Sequence, residues 1–190
     1  MHREIILLSL LMIILQGCAT VIDSTTSEPI SDNPGSRTAG QFIDDETAEV
    51  TIAVNLKKAS PDLRVSNINV KVYNGVVLIS GQVPSADARQ TAEKVASRHR
   101  GVTRLINQLE IAGKATVISE INDLTISTQV KALTLKDLGR EIYQRTVITT
   151  ENSIVYIMGF VTKEEAMALE NIVSAVRGVK RIVRVFEYID

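Results

Sequence analysis

The chain has one cysteine, two histidines and no tryptophan in 190 residues. A single cysteine closes no intramolecular disulfide and builds no thiolate metal cluster. His2 and His99 leave too little for a histidine metal site or a histidine-based catalytic triad. His99 lies between Arg98 and Arg100 near an expected helix end, where a cation is favoured. Aromatic residues make up 4%, so the core has to be aliphatic. The formal net charge is −1, which gives no global field to gather nucleic acid. These shortages argue against hydrolase, metalloenzyme and nucleic-acid-binding readings. No catalytic residue, metal, cofactor or small-molecule substrate is expected.

Long apolar runs are also missing. Ile5 to Leu15 is apolar except for Ser9, well short of the roughly 20 residues that span a bilayer. It follows a weakly basic start and fits the apolar region of a secretory signal peptide. Its end is the informative part. Leu15-Gln16-Gly17-Cys18 places Leu at −3, a small residue at −1, and then the lone cysteine, which is the pattern of a lipoprotein processing site. A thiol is nucleophilic enough to take a diacylglyceryl group as a thioether. Two or three acyl chains give stable anchoring, at about 0.8 kcal/mol per buried CH₂. Residues 1–17 are therefore read as signal peptide and Cys18 as the lipidated residue. Ala19 and Thr20 follow, without the Asp that resembles an inner-membrane retention signal, so the expected destination is the outer membrane, facing the periplasm.

Residues 18–44 read as lipidated cysteine and tether. Thr25, Thr26, Ser27, Pro29, Ser31, Asn33, Pro34, Gly35 and Ser36 dominate, and such a composition buries too little to offset ordering entropy.

The rest repeats. Asn74-Gly75-Val76-Val77-Leu78-Ile79-Ser80-Gly81 returns as Asn152-Ser153-Ile154-Val155-Tyr156-Ile157-Met158-Gly159, and Gly101-Val102-Thr103-Arg104 returns as Gly178-Val179-Lys180-Arg181. Two copies make a tandem pair, at 45–112 and 123–190. Each copy opens with an amphipathic helix, over about 45–59 and 123–138. Val50 and Val54 share one face of the first, with Ile52 and Leu56 beside them; Ile126, Val130 and Leu133 share one face of the second. Pro61 is expected to stop the first helix and Gly139 to cap the second. A strand follows, with Ile68, Val70 and Val72 inward and Asn69, Lys71 and Tyr73 outward,. Asn74-Gly75 is a strong two-residue hairpin signal. Asn152-Ser153 loses the glycine, which predicts strain or a different turn. The returning strand is almost wholly apolar, as for a central strand covered on at least one face. Then come a second helix, capped by Ser85 or by the Thr162–Glu165 capping box, and a last strand. The fold class is α+β: α-β-β-α-β, with helices on one face of a three-stranded mixed sheet, twice.

This order, the Asn-Gly-x-Val-x-Leu-x-Gly hairpin closing on Gly81 or Gly159, and the Gly-Val-x-x-Ile/Leu entry to the last strand resemble the BON domain of bacterial envelope proteins. With the processing site and spacer, the chain is similar to lipoproteins that carry two such domains. The resemblance implies a non-enzymatic protein linked to envelope integrity and stress. It also implies anionic phospholipid binding through the second domain and association with cell-division sites.

One helix end suits lipid contact on its own chemistry. Leu133, Leu135 and Leu138 do not fit one narrow stripe, and Lys131, Lys136 and Arg140 flank them. Exposed leucine with basic neighbours suits a membrane. Packing of the leucines against the first domain suits a purely structural role. The candidate membrane-binding residues are Leu133, Leu135, Lys136, Leu138 and Arg140. Two basic clusters, Arg98/Arg100/Arg104 and Arg177/Lys180/Arg181/Arg184, read first as solvated faces. The expected partner is anionic phospholipid; the alternative is a scaffold for division or outer-membrane assembly proteins without direct lipid binding.

Overall fold

A computed structural model describes residues 35–113 and 116–190. The signal peptide, Cys18 and most of the tether lie outside the described residues. The elements in order are α1 (Ala39–Ala59), α2 (Pro61–Val65), β1 (Asn67–Tyr73), β2 (Val76–Val83), α3 (Ala86–Ser97) and β3 (Arg104–Ile111). The second domain follows with α4 (Val117–Asp137), α5 (Gly139–Arg145), β4 (Thr146–Glu151), β5 (Ile154–Val161), α6 (Lys163–Ala175) and β6 (Arg181–Tyr188). Each domain is the expected α+β unit with one short helix added after the first. Pro61 ends α1 by opening α2 at its first turn, a position that needs no N–H. Gly139 follows α4 at φ +86°, the left-handed stop that glycine favours.

In each sheet the hairpin's second strand is central. β2 pairs antiparallel with β1 and parallel with β3; β5 does the same with β4 and β6. The opening and crossover helices together cover one face. Ile52, Leu56, Leu63, Ala88, Ala92 and Ala96 pack on Val70, Val72, Val77 and Ile79. Ile126, Val130, Leu169 and Val173 pack on Ile148, Val155 and Ile157. The glycines that close the hairpins permit close strand approach. A Cβ on Gly81 would stand 2.0 Å from the Asn67 carbonyl oxygen, and one on Gly159 would stand 2.4 Å from that of Arg145.

Three expectations change. Both opening helices start earlier. Thr38 caps α1 in a capping box with Gln41, so residues 39–44 are helix rather than tether; Thr116 caps α4, so residues 117–122, left between the two copies, are helix as well. Val50 and Val54 do share a face of α1, but it is the exposed one, while Ala48, Ile52 and Leu56 are buried. The "outward" face of β1 is not solvent: Tyr73 is buried there.

The two hairpin turns are alike despite the sequence change. Asn74 and Gly75 have φ of 50° and 73°; Asn152 and Ser153 have 51° and 64°. Both are turns with two left-handed residues, so a different turn type is excluded. One carboxylate holds each turn. Asp45 on α1 accepts from the amides of Asn74 (2.7 Å) and Gly75 (3.0 Å). Asp123 on α4 accepts from those of Asn152 and Ser153, both at 2.7 Å. Ser153 also accepts from the Asn122 side chain at 3.2 Å. These bonds offset the cost of a left-handed serine. At Gly75 no side chain fits, since a Cβ would lie 2.7 Å from the Gly101 carbonyl oxygen.

Asp123→Ala leaves two turn amides without their acceptor. It is expected to cost on the order of 3 kcal/mol, read as a lower urea midpoint. An unchanged midpoint would show that the turn holds without its clamp.

Candidate functional site

Two features lie beyond the cores of the separate domains: a buried surface between the sheets and an exposed face of α4.

The sheets meet face to face. Residues of β2 alternate between two cores, Val77 and Ile79 toward their own helices, Val76 and Leu78 toward the other sheet. β5 alternates likewise, with Ile154, Tyr156 and Met158 facing the first domain. Tyr73 and Val185 complete this shared core. The contacts obey an approximate two-fold relation inside one chain. Asn74 Nδ2 donates to Glu187 Oε2 at 3.2 Å, and its repeat counterpart Asn152 donates to Glu110 Oε2 at 3.0 Å. A self-complementary interface of this kind normally relates two copies of a subunit. Here its two ends have diverged. At one, the Tyr73 hydroxyl donates to the Arg145 carbonyl at 2.7 Å, and its ring meets Phe160 edge-on at 5.3 Å. Arg37, paired with Asp45 at 2.8 Å, lies over the same ring at 4.1 Å from its centre. At the other, Glu151 stands where Tyr73 would, and Gln82 where Phe160 would. Gln82 Nε2 donates to Glu151 Oε1 at 2.8 Å.

Burial sets the ionisation here. It pushes the Tyr73 phenol up and that of Tyr156 up to about 12. Burial also raises the Glu151 carboxyl, with Gln82 opposing and Asp123, Glu120 and Glu110 adding to the rise.

α4 turns an apolar stripe to solvent. Val117 and Ile118 stand four and three residues before Ile121, and Leu124 three after it; the four are 60–80% exposed. Leu135, further along, is 45% exposed. Lys131, Lys136 and Arg140 are exposed, with the Lys136 ammonium 4.0 Å from Asp137. Leu133 and Leu138 are half-buried and pack on the second domain's own core, not on the first domain. Only Leu135 of the three leucines therefore shows. The larger apolar surface, Val117 to Leu124, was missed because Val117, Ile118 and Ile121 were left between the two copies and Leu124 was given no face of the expected helix; the Thr116 cap and the spacing of the four residues were the signals for it. Leu124 and Lys131 also border an open groove of about 760 Å³, between α4, β4 and the outward face of β1. Both basic clusters are exposed, and Arg184 pairs with Glu170 at 3.2 Å.

A model of the BON domain matches residues 44–113 and 122–190. The chain belongs to the BON-domain family. It is 33% identical over 180 residues to outer membrane lipoprotein DolP of Haemophilus influenzae, across 94% of this chain and 92% of that one. It is 33% identical to a 21 kDa hemolysin of Actinobacillus pleuropneumoniae, across 80% of this chain and 78% of that one. It is 30% identical to osmotically-inducible protein Y of Escherichia coli, across 75% and 72%. The chain is thus a dual BON-domain protein similar to DolP. The exposed stripe lies on the opening helix of the second BON domain, and the shared core joins the two BON sheets. Among the described residues no helix is long and apolar enough to cross a membrane.

The docked sheets predict a late phenol. In an ultraviolet absorbance titration, Tyr156 should ionise near pH 12, and Tyr156→Phe should remove that component. Stability linked to it is present below the ordinary phenol value and is lost as pH rises through the raised one. A Tyr156 that titrates like a free phenol would mean that the BON sheets are not docked.

Proposed function

We propose that this is a non-catalytic, lipid-anchored protein of the outer membrane, attached at Cys18 and facing the periplasm. Its second BON domain binds anionic phospholipid through the exposed face of α4. The observation that carries the reading is the stripe Val117, Ile118, Ile121 and Leu124, continued by Leu135 with Lys131, Lys136 and Arg140 nearby. Apolar side chains enter the headgroup boundary and cations meet anionic lipid, at about 1 kcal/mol per cation near the surface. Leu135, Lys136 and Arg140 stay in this site. Leu133 and Leu138 shape the helix end by packing on the core beneath it.

The anchor makes weak contacts count. About 20 residues separate Cys18 from Thr38 and reach at most roughly 70 Å, so α4 samples the leaflet at high effective concentration. The proposed domain plan is signal peptide 1–17, lipidated cysteine and tether from 18, and BON domains at 45–112 and 123–190, with α1 and α4 extending each domain toward its N-terminus. Supporting outer-membrane integrity would follow from holding a rigid two-domain body against the leaflet. A relative named as an outer membrane lipoprotein supports the location.

α1 favours a second contact of another kind. Phe42, Ile43, Val50 and Val54 are 42–63% exposed, with Asp44 and Glu46 exposed among them. Carboxylates within an apolar face suit a protein partner better than an anionic leaflet, and this is the surface for an assembly or division protein.

A 35–190 fragment retains Arg37 and the Thr38 cap. It should sediment with vesicles containing phosphatidylglycerol at low salt and less so with neutral vesicles. Ile121→Asp with Leu124→Asp should weaken that binding at least about tenfold without lowering the melting temperature, because both side chains are exposed. If the fragment ignores anionic vesicles, or the double variant binds as before, lipid recognition by α4 is wrong and the scaffold reading takes its place.

A further inference from the structure

The polar end of the interface between the sheets holds a buried carboxyl facing a buried amide. Glu151 ends β4 in the second domain and is 9% exposed; Gln82 lies in β2 of the first domain and is 5% exposed. Gln82 Nε2 donates to Glu151 Oε1 at 2.8 Å, and Asn67 Nδ2 reaches the same oxygen at 3.5 Å. Both donors meet Oε1, which leaves Oε2 to carry a proton. The other atom of the Gln82 amide, Oε1, is buried and has no hydrogen-bond partner among the described residues. An unpaired buried acceptor is costly. A carboxylate has no hydrogen to offer it, and a carboxylic acid has one. A planar acid and a planar amide satisfy each other edge to edge, each donating once and accepting once.

The surrounding charges point the same way. Asp123 and Glu120 on α4 and Glu110 on β3 act on this carboxyl, and all are acidic; the Tyr156 phenol that also interacts with it is buried and neutral. Asp123 is committed to the Asn152–Ser153 turn, and Glu110 accepts from Asn152. The cations bordering the same groove are Lys71, which is paired with Glu49, and Lys131, which is exposed. No ion pair balances a charge on Glu151 among the described residues. Since Glu151 borders the open groove, solvent can deliver the proton.

We propose that Glu151 is a proton-controlled latch between the two BON domains: it takes a proton from solvent as the sheets dock, and the resulting acid pairs with the Gln82 amide across the interface. The sign follows from linkage. The docked state binds the proton more tightly than the separated or unfolded chain. The stabilisation is therefore complete below the ordinary glutamate value, and it is lost as pH rises through the raised one. Acidification tightens docking and alkalinisation loosens it. This device does not depend on lipid contact, so it stands or falls apart from the function proposed above.

The test uses the full lipidated chain in neutral detergent micelles. NMR titration of the Glu151 carboxyl carbon should give a midpoint above the ordinary glutamate value, and the methyl resonance of Met158 in the shared core should follow the same midpoint. Urea midpoints of the wild type and Glu151→Gln, which mimics the acid, should agree at about pH 4, below the ordinary glutamate value, and separate as the pH rises toward about 8, with the variant the more stable. An ordinary midpoint, a Met158 resonance indifferent to it, or a pH-independent difference between the proteins would overturn the latch. Should the variant fail to fold, the two wild-type resonances decide.

Discussion

β2 and β5 have apolar side chains on both faces, and that single constraint organises the molecule. A strand in a half-exposed sheet alternates apolar and polar residues. Val76 to Ile79 and Ile154 to Met158 do not alternate. The helices of a BON domain cover one face of its sheet only. The other face needs a second apolar surface, and the sheet of the neighbouring domain supplies it. The result is four layers: helices, sheet, sheet, helices. Exposed, either sheet would present an apolar patch of the kind that associates.

Duplication explains the form of the contact, and divergence its content. Two related sheets in one chain can meet as two subunits would, about an approximate two-fold axis. The paired bonds of Asn74 to Glu187 and Asn152 to Glu110 preserve that relation. The freedom of a single chain is that the two halves need not stay identical. Tyr73 with Phe160 makes one end apolar, and Glu151 with Gln82 makes the other polar. Met158 adds volume in the second sheet where the corresponding Ser80 adds almost none; Ser80 is buried, and its hydroxyl has no partner among the described residues. These differences favour pairing of the first domain with the second, because two copies of the second domain meeting in the same way would set Glu151 against Phe160.

Local signals were legible in the sequence. The strand alternation, the hairpin dipeptide, the Ser85 and Thr162 caps and the glycine stops each depend on neighbours a few residues away, and each specifies its element. Long-range roles were less so. Asp45 and Asp123 look like ordinary helix-surface acids, and only the fold brings each to a turn 29 or 30 residues on. Arg37 looks like a solvated tether charge, yet it lies over Tyr73. Tyr73 was placed outward, correctly for its own domain; what covers it belongs to the other. The site was legible in type rather than in place: an apolar and basic surface on α4 was expected at Leu133–Arg140, and most of the exposed apolar residues lie roughly two and a half to four and a half turns earlier.

That displacement has a physical cause with a functional consequence. Thr116 captures the Ser119 amide and starts α4 before its buried face begins at Asp123. The first turns of the helix therefore extend past the core that the rest of it covers, and side chains there have nothing of their own domain to pack on. Apolar residues at such an overhang add little to folding stability and leave surface free for association. The domains share a core, so α4 has one fixed attitude relative to the first domain and to α1. An association made at α4 therefore orients both BON domains together, including the acidic and apolar face of α1, which a flexible pair of domains would present at random.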